Sequence, residues 1–148
     1  MRANILIIDD EPDMLELVSF HVRAAGHKVL QAATGKAGLH SAQRNLPDLI
    51  ILDVMLPDLE GFTICEMLRR LPSTAATPVF MLTALDGELA RAHALGCGVT
   101  VYLRKPCNMA KLVEQIDQTL REEKARRAQA QAAFEAEEAL EPRRASGL

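Results

Sequence analysis

At 148 residues the chain suits one compact domain with some length left over. Apolar residues at 49% and charged residues at 25% are ordinary for a globular protein, while 3% aromatics and no tryptophan leave an aliphatic core. A formal charge of −3 gives no reason to expect direct nucleic-acid binding through bulk electrostatics.

The start, Met1-Arg2-Ala3-Asn4, runs straight into Ile5-Leu6-Ile7-Ile8. That run is too short for a signal peptide and far too short for a membrane span, so a cytoplasmic protein is expected. It ends at Asp9-Asp10 and reads as a first strand. Pro12 stands where a first helical turn begins, and Met14, Leu17, Val18 and Val22 follow at helical spacing up to a stop at Gly26. A weaker strand covers Lys28 to Ala32. Thr34 caps a second helix reaching about Asn45. Leu49-Ile50-Ile51-Leu52 is a strand ending at Asp53, and Phe62, Cys65 and Leu68 give the third helix its apolar stripe. Val79-Phe80-Met81-Leu82 ends at Thr83, and a fourth helix spans about Glu88 to Leu95. Val101-Tyr102-Leu103 leads to Lys105. Asn108 caps a fifth helix with Leu112, Val113, Ile116 and Leu120 facing inward. Continuous apolar strands alternating with helices predict an α/β fold: a (βα)5 parallel sheet, doubly wound with helices on both faces.

Residues 1–123 form the expected domain. The remainder, 124–148, is an Ala/Glu/Arg-rich extension too short for a second domain. It reads as disordered, as a prolonged fifth helix that dimerises through Ala128, Phe134 and Leu140, or as a linker cut from a longer protein. Cys65, Cys97 and Cys107 are odd in number and lack paired spacing, which fits reduced, mostly buried thiols better than disulfides or a CxxC zinc site. His21, His27, His40 and His93 lie away from the strand ends and read as solvated helix or loop residues. Gly96-Cys97-Gly98 precedes a strand and lacks the later glycine of a dinucleotide fingerprint.

In a doubly wound sheet, ligands bind beyond the carboxyl ends of the strands. The residues there are Asp9, Asp10, Asp53, Thr83 and Lys105. Any one of them could simply end a strand and cap a helix; five at consecutive ends point to a site. Crowded carboxylates repel, and a divalent cation relieves that cost. All-oxygen ligands suit Mg²⁺ (or Mn²⁺). One carboxylate can then act as nucleophile toward a phosphoryl donor, with the ammonium and the hydroxyl available to the transferred group's oxygens.

This set resembles the receiver domain of response regulators in two-component systems, of the chemotaxis-regulator type, over about residues 3 to 122. Asp9-Asp10, Asp53-Val54-Met55-Leu56-Pro57 with Gly61, Thr83-Ala84, Tyr102 and Lys105-Pro106 carry the likeness. The resemblance implies the flavodoxin-like strand order 2-1-3-4-5. It also implies Asp53 as phospho-acceptor and a metal bound directly by Asp10, partly through water by Asp9, and by Asp53 and the backbone carbonyl of Met55. Lys105 contacts the phosphoryl group and is usually followed through a cis peptide. The resemblance further implies that Thr83 and Tyr102 form the switch, the acyl phosphate drawing Thr83 in and Tyr102 turning inward behind it. Departures are Cys107, where the family often has Phe, and the less polar Gly98-Val99-Thr100-Val101.

The implied function is a signalling switch, self-phosphorylating and self-dephosphorylating, not a conventional enzyme. A histidine kinase or histidine phosphotransfer protein supplies phosphate to Asp53. The surface of the fourth helix, fifth strand and fifth helix answers to an unidentified protein target, or forms a homodimer. A stand-alone regulator without an output domain is expected, a fragment of a longer response regulator being the alternative. Apolar side chains at Met55 and Leu85 cannot orient water, so a long-lived phosphorylated state is expected. An Asp-nucleophile phosphatase of the haloacid dehalogenase type would need a second Asp at position 55, where Met55 stands. A scaffold that has lost phosphorylation would lack part of the residue set, and none is missing.

Overall fold

Aliphatic runs too short for helices form five strands, and the amphipathic segments between them form five helices. The computed structural model describes residues 2–146. In chain order the elements are β1 (Asn4–Ile8), α1 (Pro12–Ala24), β2 (Lys28–Ala32), α2 (Gly35–Asn45), β3 (Leu49–Leu52), α3 (Gly61–Arg70), β4 (Val79–Thr83), α4 (Glu88–Gly96), β5 (Val101–Arg104) and α5 (Met109–Ser146). All strand pairs are parallel, in the order β2-β1-β3-β4-β5. The expected doubly wound sheet is therefore the observed one.

Alternation along the strands divides the interior in two. Leu6, Ile8, Ile50, Leu52, Val79 and Met81 face α2, α3 and α4, where Leu39, Ile64, Leu68 and Ala94 meet them. Ile5, Ile7, Leu49, Ile51, Phe80 and Leu82 face α1 and α5, where Val18, Val22, Leu112, Ile116 and Leu120 close the second layer. Each fully buried aliphatic or Phe side chain contributes about 1.5–3 kcal/mol relative to exposure. These two layers fix the sheet that carries the site.

Helix starts and stops follow local chemistry. Pro12 occupies the first turn of α1, and Gly26 beyond its end takes φ 96°. The Thr34 hydroxyl accepts from the Ala37 amide at 3.1 Å, and the Asn108 side chain from the Lys111 amide at 3.2 Å. Two assignments from the sequence need correction. Leu17 faces solvent on α1; Met14, Leu15, Val18 and Val22 make the inward stripe. His27 is buried, not solvated. Its Nδ1 accepts from the Ala3 amide at 3.1 Å, which leaves Nε2 to donate to Asp117 at 2.8 Å. The ring thus ties the sheet's amino edge to α5.

The extension is helical over residues 124–146, as α5 continues without a break to Ser146; positions 147 and 148 lie outside the described residues. Among its described side chains the last buried one is Leu120, and Ala128, Phe134 and Leu140 are exposed. Among the described residues, no helix is long and apolar enough to cross a membrane. The cysteines are free, Cys65 and Cys97 buried and Cys107 half-buried.

Candidate functional site

The sheet register places the polar strand ends side by side. Ile8 pairs with Leu52, and the Asp53 amide donates to the Ile8 carbonyl at 3.1 Å, one rung further on. Asp9 and Asp53 therefore leave adjacent strands together, at the point where strand order reverses. Across β4 and β5, the Lys105 amide donates to the Thr83 carbonyl at 2.8 Å, which brings the lysine to the same rim.

The side chains complete the cluster. Asp9, Asp10 and Asp53 each place a carboxylate oxygen within 4.8 Å of the other two, with Asp9 and Asp53 buried and Asp10 exposed. Lys105 Nζ donates to Asp9 Oδ2 and to Asp53 Oδ2, each at 2.8 Å, and to Glu11 Oε1 at 3.2 Å. The remaining oxygens are held locally: Asp9 Oδ1 accepts from the Glu11 amide at 2.9 Å, and Asp53 Oδ1 from the Met55 amide at 3.2 Å. Burial raises the Asp9 carboxyl above its usual 3.8, and the Lys105 hydrogen bond only partly opposes it. Burial alone would lower the Lys105 amine, but its bonds to Asp53 and Asp9 outweigh that and raise it above 10.5. One cation facing three clustered acids leaves an excess of negative charge, and the donors are all oxygen. A divalent ion of the Mg²⁺ class fits that set.

The loop after Asp53 is held close. Gly61 donates its amide to the Val54 carbonyl at 2.8 Å, and a Cβ at Gly61 would fall on the Asp53 carbonyl oxygen and 2.8 Å from Val54 Cα. Backbone cannot yield as a side-chain tip can, so only glycine permits this approach. Thr83 is fully buried and its Oγ1 accepts from the Leu85 amide at 3.3 Å. Tyr102 is buried, its hydroxyl donates to the Leu85 carbonyl, and the Arg91 guanidinium lies 5.5 Å from its ring centre. The Lys105–Pro106 peptide is cis. The groove lined by Arg2, Asp48, Leu120, Lys124 and Arg127 lies at the opposite end of the sheet, away from these acids.

A family model described as the response regulator receiver domain matches residues 5–117. The chain belongs to the response regulator receiver domain family. Among the relatives of this receiver is the DNA-binding dual master transcriptional regulator RpaA of Synechocystis, 43% identical over 117 residues; the match covers 79% of this chain and 48% of RpaA. Response regulator PleD of Caulobacter vibrioides is 38% identical over 116 residues, covering 78% of this chain and 26% of PleD. The chain thus spans about half or less of the length of these curated relatives. A CheY-like receiver domain protein from Methanospirillum hungatei superposes with a TM-score of 0.80 at 28% identity, covering 85% of this chain and 99% of the other.

Asp9, Asp10, Asp53, Thr83 and Lys105, the strand-end residues singled out in the sequence, all lie at this rim, while Tyr102, inside β5, is linked to it through the Leu85 loop. Two residues at or near the site were not singled out. Glu11 joins the Lys105 cluster, though as an exposed acid at a helix start it gives no sequence signal beyond favouring that terminus. Asp58, in the loop after Asp53, accepts from the Gly35 amide at 2.7 Å and the Lys36 amide at 2.9 Å, tying that loop to the start of α2. Its place in the loop offered no pattern to find it by.

Proposed function

We propose that this receiver takes a phosphoryl group on Asp53 from a histidine kinase or histidine phosphotransfer protein, and that the acyl phosphate switches a protein-interaction surface. The observation that supports it best is the Asp53 carboxylate, buried, bonded to Lys105 at 2.8 Å and within 4.8 Å of Asp9 and Asp10. Asp9, Asp10, Asp53 and the Met55 carbonyl would hold Mg²⁺ or Mn²⁺. The ion, when bound, supplies neutralisation of phosphoryl-oxygen charge.

The chain's own groups do the rest. A carboxylate oxygen of Asp53 attacks phosphorus; the P–N bond to the donor imidazole breaks as the new P–O bond forms. Lys105, already on Asp53, is placed to follow the phosphoryl oxygens. The Thr83 hydroxyl accepts from Leu85 here and keeps its proton free to donate to a phosphoryl oxygen. Movement of Thr83 would pull the Leu85 loop, to which Tyr102 is bonded, so the charge change at Asp53 reaches α4, β5 and α5. Output through that face, to a protein target or a second copy, is the proposed readout. This role is a stoichiometric switch, not turnover of a substrate, and fits a cytoplasmic protein.

Incubation with acetyl phosphate and Mg²⁺, read by intact mass, tests the reading. Wild type should gain one phosphoryl group and Asp53→Asn none. Met55, exposed, and Leu85, half-buried, offer no polar group to align water, so after removal of donor the label should persist for minutes or longer. Equal labelling of Asp53→Asn would refute the acceptor assignment, and a half-life of seconds the lifetime.

A further inference from the structure

Away from the acidic rim, where α3 meets α4, three side chains of a different ligand chemistry converge. Glu66 of α3, His93 in the last turn of α4 and Cys97 at its C-cap each offer one ligand atom, all within 4.8 Å of one another. We infer that these residues form a second metal site, for Zn²⁺ or a similar divalent transition ion, which clamps α4 to α3. The site does not depend on phosphorylation of Asp53.

Donor type separates it from the first cluster. A thiolate, an imidazole nitrogen and a carboxylate oxygen are zinc ligands, whereas Mg²⁺ takes oxygen alone. His93 and Cys97 are four residues apart, and the Cys97 amide still donates to the His93 carbonyl at 3.0 Å. The helical spacing therefore sets both side chains on one face. Glu66 comes from a separate helix, so the three residues would bridge two elements. Cys97 Sγ already donates to Glu66 Oε1 at 3.3 Å. The His93 ring stands edge-on to Phe62 with centroids 4.4 Å apart, which limits its rotation. Cys97 is buried while Glu66 and His93 are exposed, so an ion has an inner wall and an open approach. Zinc bond lengths of about 2.0–2.3 Å in a tetrahedron separate ligands by about 3.3–3.8 Å. A gap at the 4.8 Å limit then needs to close by about 1–1.5 Å, within side-chain reach. Solvent would complete the fourth position.

Binding replaces the sulfur–hydrogen bond by a sulfur–metal bond and releases the proton to solvent. Its mechanical effect follows from how α4 is held. Ala94 is the one residue of that helix that is buried, so a metal tie to α3 would add an anchor to an element that packing holds at few points.

The test uses the full reduced chain titrated with Co²⁺, which takes zinc ligand sets and reports thiolate coordination through a sulfur-to-cobalt charge-transfer band. Oxygen ligands at the acidic rim give no such band. The expected result is a band saturating at one equivalent, removed by one equivalent of Zn²⁺, absent in Cys97→Ser and unchanged in Cys107→Ser. His93→Ala and Glu66→Gln alter exposed positions and should fold; each should weaken binding at least about tenfold, the lower end of what even outer partners of a metal contribute. No band in wild type, or a band equally strong in folded His93→Ala and Glu66→Gln, would overturn the site. Should Cys97→Ser fail to fold, those two exposed variants decide the matter alone.

Discussion

Lys105 shows how the site's charges are balanced. Its side chain is 7% exposed and spans two buried carboxylates, Asp9 and Asp53. Since the folded amine titrates above 10.5, its stabilisation is fully present below that pH and is lost only as pH rises through the higher folded value. Removing the amine at neutral pH leaves two desolvated acids facing each other. Lys105→Met is therefore expected to cost about 3 kcal/mol near pH 7, measured by urea denaturation. Added Mg²⁺ should recover part of that loss, and acidification should too, as Asp9 protonates above its usual 3.8. A Lys105→Met protein as stable as wild type at neutral pH would contradict the charge balance. Asp9, Asp10, Asp53 and Lys105 were legible because they follow apolar runs whose ends share a rim in such a sheet, whereas Glu11 was not. His27 and Asp117 were not, because their bond joins positions 90 residues apart and neither sits in a pattern.

At the scale of elements, capping and period were legible, and side-chain bridges between elements were not. Thr34 before α2, Pro12 in α1 and Asn108 before α5 announce themselves by residue type and position. The apolar stripe of α1 was misread at Leu17 because an exposed leucine has the same spacing signal as a buried one. Arg69 donates to the carbonyls of Gly98 and Thr77 at 3.0 and 2.6 Å, and nothing in its neighbourhood predicts that reach. Asp58 offers a test of such a bridge. The Lys36 and Gly35 amides hold its carboxyl below 3.8. An acid depressed on folding stabilises above its unfolded pKa, and the gain is lost as pH falls through the folded value. Asp58→Ala should thus melt a few degrees below wild type at neutral pH, with the gap closing in strong acid. A gap independent of pH would assign the loss to packing instead.

Across the whole molecule, one sheet with two apolar faces gives both stability and a rim for chemistry. The split was legible in the strands, where consecutive residues such as Ile5 and Leu6 must face opposite layers. The fate of residues 124–148 was not, since an Ala/Glu/Arg composition is compatible with a helix, a disordered tail or a linker. The structure carries α5 to Ser146 with Phe134 and Leu140 exposed. If the face of α4, β5 and α5 pairs two copies on activation, size-exclusion chromatography will show it. Beryllofluoride, which stands in for the phosphoryl group, should with Mg²⁺ shift wild type toward a dimer and leave Asp53→Asn unmoved. An unchanged elution volume for wild type would leave output to a different protein and exclude the homodimer.

The most direct test locates the covalent bond itself. Protein labelled by acetyl phosphate is reduced with borohydride, which converts an aspartyl phosphate to homoserine, and then mapped by peptide mass spectrometry. Homoserine at position 53, and nowhere else, is the predicted result. Homoserine at position 9 or 10, or a label that resists borohydride, would contradict Asp53 as the acceptor.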